Sequence, residues 1–199
     1  MPDSTGSIPD RVGFFGGSFD PIHLGHLRLA EEAIRFASLN LLLFCPAFHA
    51  PLRDEKPFFS SQQRLDMLDR ITEHNPRMDV CKIELEKQKT CFTYETLMEV
   101  RSRFPDSELF LLLGADQFEQ LEKWKFNHEL AEICKFLVFS RSDKKMSPPP
   151  IKNLHYELMK NELIEISSTQ IRDRLKNGKT IDQLVPPIIN PMIQEYFNS

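Results

Sequence analysis

This sequence lacks the marks of a chain that binds nucleic acid, spans a membrane or is stapled by disulfides. Positive charge is not in excess: 25 Lys and Arg stand against 29 Asp and Glu, for a formal net charge of −4. A nucleic-acid backbone calls for a concentrated basic face, so that partner class is set aside. There is no secretory h-region and no run of about eighteen apolar residues, which argues against a membrane partner and for a cytoplasmic protein. Cysteine is sparse. Cys45, Cys81, Cys91 and Cys134 form no Cys-x-x-Cys and no metal-ligand spacing, so no metal site is expected and the four read as reduced, mostly buried thiols. No internal repeat and no dividing linker appear. Residues 1–10, with two prolines and small polar residues, read as a disordered tail, and 11–199 as one domain of ordinary globular composition.

Glycine is also scarce, seven in all, yet it gathers in one place, Gly16-Gly17-Ser18-Phe19-Asp20-Pro21-Ile22-His23-Leu24-Gly25-His26. Before this stretch Val12, Phe14 and Phe15 make a short buried strand. After it Leu27, Ala30, Ile34 and Ala37 recur at helical spacing. The stretch is therefore a strand-to-helix turn. Glycine lets backbone approach a ligand closely, and the first N–H groups of the helix, backed by the dipole, favour an anion. His23 and His26 are three apart and share a face at the helix start, where imidazoles donate to phosphate oxygens. The spacing excludes the Walker loop, which closes on Gly-Lys-Ser/Thr, and the dinucleotide fingerprint with its three spaced glycines.

A second hydroxyl-rich helix start follows at Ile166-Ser167-Ser168-Thr169-Gln170-Ile171-Arg172. Ser167 with Gln170 reads as a capping box, and Arg172 adds a cation one turn inside. Nucleotidyl transfer must neutralise charge on the transferred phosphate and on the departing pyrophosphate, so two phosphate-binding helix starts make joint sense.

Strands and helices alternate along the chain, which predicts an α/β fold: a Rossmann-like doubly wound parallel sheet with helices on both faces and a small C-terminal helical segment. Leu39–Cys45 reads as a strand buried on both faces, and 46–59 as a proline-rich loop beyond its end. Ser60 and Gln63 form a capping box for a helix to about His74. A strand is expected over Met78–Leu85, a helix over Thr93–Phe104, and a strand over Leu109–Leu113 ending in Gly114-Ala115-Asp116. A helix carrying Trp124, a strand at Phe136–Phe139, a polar loop over 140–153 and a short strand at Leu163–Ile166 follow. The end is helical, with Gly178 placed to stop one helix and a last helix beginning near Pro187.

The first turn resembles the mark of the nucleotidyltransferase superfamily, Gly-x-Phe-Asp-Pro-x-His-x-Gly-His, met at Gly17, Phe19, Asp20, Pro21, His23, Gly25 and His26. From about Val12 to Phe197 the chain is similar to the bacterial nicotinate-nucleotide adenylyltransferases. Cys91-Phe92-Thr93-Tyr94-Glu95-Thr96-Leu97 stands where that family has Ser-Tyr-Thr-x-Asp-Thr-Leu, and Thr93 keeps the threonine. Cys91, Phe92 and Glu95 depart from the pattern. Gly114-x-Asp116 followed by Trp124 keeps the family order, as does Arg141 at a strand end. In the loop after the second strand Arg53 keeps a cation, whereas Leu52 replaces the usual histidine; whether nearby His49 compensates stays open.

The resemblance implies adenylyl transfer from ATP to nicotinate mononucleotide, giving deamido-NAD and pyrophosphate, with Mg²⁺ carried on the ATP phosphates. It implies His23, His26 and Arg172 as catalytic residues. Gly16, Gly17, Ser18, Phe19, Gly25, Gly114, Asp116, Ser167, Ser168 and Arg172 would hold ATP. Arg53, Thr93, Trp124, Lys125 and Arg141 would hold the mononucleotide, with Trp124 stacked on the pyridine ring. The alternatives are a pantetheine-phosphate adenylyltransferase or another member of the superfamily, and a nucleotide-binding module without turnover. The oligomeric state is left open, a homo-oligomer included.

Overall fold

Near-continuous apolar runs in the central strands organise the fold, as expected of strands covered by helices above and below. The computed structural model describes residues 8–49, 56–140, 146–160 and 165–198. In chain order the elements are β1 (Arg11–Gly17), α1 (Leu24–Phe36), β2 (Leu41–Pro46), α2 (Ser61–Thr72), β3 (Met78–Val80), α3 (Ile83–Lys87) and α4 (Thr93–Arg103). They continue with β4 (Glu108–Gly114), α5 (Ala115–Glu119), a 3₁₀ turn (Leu121–Lys123), α6 (Asn127–Ile133), β5 (Lys135–Ser140), β6 (Tyr156–Lys160), α7 (Ser168–Lys176) and α8 (Asn190–Asn198). The six strands form one sheet in the order β3-β2-β1-β4-β5-β6, every neighbouring pair parallel. This is the doubly wound order, and the topology reverses between β1 and β4.

Leu42, Phe44, Phe110, Leu112, Leu137 and Phe139 turn to one face, where Ala30 and Ile34 of α1, Met67 and Leu68 of α2, Ile171 of α7 and Ile193 of α8 cover them. Their sequence neighbours Leu43, Cys45, Leu109, Leu111, Phe136 and Val138 turn to the other face, under Ile83 of α3, Leu97 and Val100 of α4, Phe118 of α5 and Leu130 of α6. The expected α/β architecture, with a C-terminal helical segment, is what the chain adopts. No described helix is long and apolar enough to cross a membrane.

Helix ends follow local chemistry. Ser60 Oγ accepts from Gln63 N at 3.2 Å while Gln63 Oε1 accepts from Ser60 N at 2.9 Å, closing the capping box on α2. Ser167 Oγ accepts from Gln170 N at 3.1 Å at the start of α7. Gly178, at φ 61°, ends α7. Its N–H bonds Leu175 O and that of Lys179 bonds Arg174 O, the paired pattern that satisfies the last carbonyls of a helix. Pro9 and Asp10 offer carbonyls to Ser107 Oγ and Glu108 N.

Four segments differ from the sequence reading. The strand expected over Met78–Leu85 stops at Val80, and α3 begins at Ile83. Cys81 N still bonds Phe44 O, but the next ladder bond would need an N–H from Pro46, which has none. Lys82, Ile83, Glu84 and Leu85 alternate in polarity and so mimic a strand. Trp124 is not helical: it follows the 3₁₀ turn in an extended conformation. The strand placed at Leu163–Ile166 is instead β6, and Glu165 and Ile166 are irregular. Tyr156 and Leu158 of this edge strand are exposed, so burial does not announce it. The last helix begins at Asn190, three residues after the expected start.

Candidate functional site

Open parallel sheets bind ligands outside the carboxyl ends of the strands where topology reverses. A cleft of about 620 Å³ lies there, beyond Gly17 of β1 and Gly114 of β4. Its wall includes Gly16, Gly17, Ser18, Phe19, His23, Gly25 and His26 from the first turn, Gly114 and Asp116 from the end of β4, and Ser167, Ser168 and Arg172 from α7. Thr93, Trp124 and Lys125 also line it. Every sequence-level candidate inside the described residues therefore meets in one cavity. Arg53, Arg141 and Leu52 lie outside the described residues, and His49 is not among the lining residues.

The first turn is held in an uncommon shape. Phe19 sits at φ 45°, a left-handed conformation that a bulky residue keeps only when its surroundings dictate it, and the Asp20–Pro21 peptide is cis. Three ties hold the turn. Asp20 is buried, and its two carboxylate oxygens accept from Phe58 N and Phe59 N, each at 2.8 Å. Arg64 of α2 is 1% exposed, and its Nη1 donates to Ser18 O and Ala47 O, each at 2.7 Å. Burial pulls the Arg64 pKa down, and the nearby Asp20 charge opposes the fall. The third tie comes from α7: Arg172 Nη1 donates to Asp20 O at 2.6 Å and lies 3.5 Å from Asp20 Oδ2, while Ser168 Oγ donates to Pro21 O at 2.9 Å. The two helix starts recognised in the sequence are thus fastened to each other.

His23 caps α1: its Nδ1 accepts from His26 N at 3.4 Å. An accepting Nδ1 leaves the proton of the neutral ring on Nε2, which makes that nitrogen a donor. The two imidazoles stack with centroids 3.7 Å apart, and His26 packs edge-on to Phe19 at 5.1 Å. Helix N–H groups contribute less than expected, because Leu24 N bonds Leu184 O and Leu27 N bonds His23 O. His23, Gly25 and His26 all line the cleft at this helix start.

Thr93, which opens α4, also lines the cleft, and Trp124 packs half-buried against the core. Lys125 Nζ stands over the rings of Phe92 at 4.3 Å and Phe126 at 4.9 Å, a cation–π placement at the cleft edge. The floor carries Cys45, Glu84 and Cys91, none of which the sequence reading placed in the site. Glu84 was hidden by the strand assigned to its segment. It is 7% exposed, and its Oε1 accepts from Thr96 Oγ1 at 3.0 Å. Burial pushes its carboxyl above the usual carboxylate range, against bonds from Thr96 and Cys45. Burial likewise raises the Cys91 thiol. Arg64 was missed because a charged residue on an amphipathic helix reads as solvated.

A cytidylyltransferase-like family model matches residues 14–174. The chain is 32% identical over 187 residues to the nicotinate-nucleotide adenylyltransferase of Bacillus subtilis (strain 168), covering 93% of this chain and 96% of that protein. It is 34% identical over 185 residues to a probable nicotinate-nucleotide adenylyltransferase of Shouchella clausii, with 93% and 94% covered. A solved structure of Plasmodium falciparum nicotinic acid mononucleotide adenylyltransferase complexed with NaAD superposes with a TM-score of 0.77, covering 95% of this chain and 98% of that one. At 19% identity, that likeness concerns the fold.

Proposed function

The chain belongs to the cytidylyltransferase-like family and, within it, to the nicotinate-nucleotide adenylyltransferases, and from that premise we propose how its cleft works. The enzyme moves the adenylyl group of ATP to nicotinate mononucleotide in NAD biosynthesis. The mononucleotide phosphate oxygen bonds to the α-phosphorus, the bond from that phosphorus to the β-phosphate bridge breaks, and pyrophosphate leaves with the electron pair. The attacking phosphate is already ionised at neutral pH, so no protein nucleophile is required. Holding the groups in line and neutralising charge suffices.

The observation that carries the residue assignments is the fastening of α7 to the first turn through Arg172–Asp20 and Ser168–Pro21. It brings the first turn and the start of α7 together, which supports giving the two a shared task on the triphosphate. In this reading His23, through Nε2, and His26 stabilise the α-phosphate. Gly16–Phe19, Gly25, Gly114 and Asp116 cradle the nucleoside side of ATP, and Ser167, Ser168 and Arg172 hold the β and γ phosphates. Thr93, Trp124 and Lys125 take the pyridine carboxylate and ring, and Arg53 and Arg141 the mononucleotide phosphate. Mg²⁺ arrives with ATP. Among the described residues no three of His, Cys, Asp or Glu gather to hold a metal, and both Asp20 carboxylate oxygens already accept N–H groups. The four cysteines are free and buried, which suits a cytoplasmic setting.

The test is pyrophosphate release from ATP and Mg²⁺ with nicotinate mononucleotide, nicotinamide mononucleotide or phosphopantetheine as acceptor. Release with nicotinate mononucleotide is expected. Release with phosphopantetheine alone would overturn the acceptor, and ATP binding without any release would overturn the reaction.

A further inference from the structure

The ring of nicotinate mononucleotide is a zwitterion: the N-ribosyl nitrogen carries a fixed positive charge and the 3-substituent a carboxylate. The reading above gives the carboxylate its partners and the ring face Trp124, but it leaves the cationic nitrogen without an anion. Glu84 lines the same cleft and is 7% exposed. It is the one residue of α3 that both lines the cleft and carries a charge. Thr96, one turn along α4 from Thr93, fixes Oε1, so the carboxyl sits under the helix start that also presents Thr93. Trp124, Cys45 and Cys91 line the same cleft.

Resting on the adenylyl-transfer reading, we propose that Glu84 is the counter-charge to the pyridinium nitrogen, a specificity residue that selects an acceptor with a cationic ring. A buried carboxyl is poorly solvated as an anion, and a fixed cation beside it is the strongest inducement to ionise. Trp124 adds a π-face for the same charge. The cost of burying a carboxylate is thus repaid only when a pyridinium is present, and a neutral ring gains nothing from it. Binding therefore favours the ionised form of Glu84. The other groups that face this carboxyl are Cys45 on β2, Lys87 on its own helix and Thr96 on α4, with Cys81 and Cys91 also close enough to feel its charge. Lys87 is itself paired with Glu99. Burial holds the Cys91 thiol protonated, so Glu84 is the group with a reason to titrate on binding.

Two measurements test this. In kinetics, Glu84→Gln should raise KM for nicotinate mononucleotide about 10-fold or more and leave KM for ATP within about twofold. Wild-type enzyme should prefer the mononucleotide over its uncharged isostere with carbon in place of the ring nitrogen, and Glu84→Gln should lose most of that preference. Glu84→Asp should recover part of it. In calorimetry on the unmodified enzyme between pH 5 and 7, the mononucleotide should release a proton that the neutral isostere does not, read from buffers of different ionisation heat. Both ligands carry the same phosphate, so its own titration cancels. Equal loss of both ligands in Glu84→Gln, or equal proton release, would overturn the role of Glu84. Failure of the wild type to turn over nicotinate mononucleotide would overturn the acceptor itself.

Discussion

Replacing Arg64 with methionine removes three hydrogen bonds, to Ser18 O, Ala47 O and, more weakly at 3.4 Å, Ser61 Oγ, without removing the apolar stem that fills the space. Ser18 O and Ala47 O, now each 2.7 Å from Arg64 Nη1, would both lose a charged donor in the half-buried wall of the cleft. Leaving a buried acceptor unpaired costs about 1–3 kcal/mol. The cost of keeping a guanidinium out of water disappears at the same time and offsets part of the loss, so a net destabilisation of about 2–4 kcal/mol is expected. At about 2–4 °C per kcal/mol for a chain of this size, thermal unfolding should fall by about 5–15 °C. Ser18 belongs to the first turn and Ala47 to the segment after β2, and both line the cleft, so the loss should also appear in chemistry. A misplacement of about 1 Å is worth about 100-fold in rate, and kcat/KM for ATP should fall about 10–100-fold at temperatures where the variant stays folded. Arg64→Lys keeps the charge but not the fork of donors and should recover only part of either effect. Thermal unfolding within about 2 °C of wild type, together with unchanged ATP kinetics, would refute the idea that Arg64 clamps the turn.

His26→Ala should lower kcat by about 100- to 1000-fold with far-ultraviolet circular dichroism unchanged, since the ring borders the cleft rather than filling the core; near-normal turnover would refute its phosphate role. Gly114→Ala would place a Cβ 2.6 Å from Asp116 Oδ1, so Asp116 must swing away; ATP affinity measured by calorimetry should fall while thermal stability changes little. Glu108 is held below the usual carboxylate range by Lys135 first and then Arg11. Its contribution is present above the unfolded-state pKa and is lost as pH falls through the depressed folded value. The group is surface-lying, so Glu108→Gln should cost less than about 1 kcal/mol at pH 7 and should flatten the acid side of the stability–pH curve, read by thermal melts.

The first turn, both hydroxyl-rich helix starts and the two-faced strands were legible in the sequence because each is a local device. Ser60 and Gln63 bond each other across three residues, and Gly178 accepts a backbone shape that other residues resist. The end of β3 was not legible, because it is decided by Pro46 on a neighbouring strand rather than by Cys81 and the residues after it. Glu84 follows from that: in a strand it would be one more alternating charge, and only as part of α3 does it enter the cleft. Arg64 escaped notice for a related reason, since its partners are carbonyls 46 and 17 residues away and helical periodicity says nothing of them. Trp124 lines the cleft, but its backbone is extended rather than helical; Phe126, left-handed at φ 64°, starts the next helix only after it.

The bonds from Ser168 to Pro21 and from Arg172 to Asp20 span 147 and 152 residues. During synthesis at about 5–20 residues per second, the phosphate-facing turn is therefore made roughly ten to thirty seconds before the helix that completes it. Throughout that interval the growing polypeptide has the glycines and histidines of an ATP site but neither the hydroxyls nor the guanidinium that finish it. A translation product that stops short of α7 lacks those two bonds and also Ile171, Leu175 and Ile193, which cover one face of the sheet.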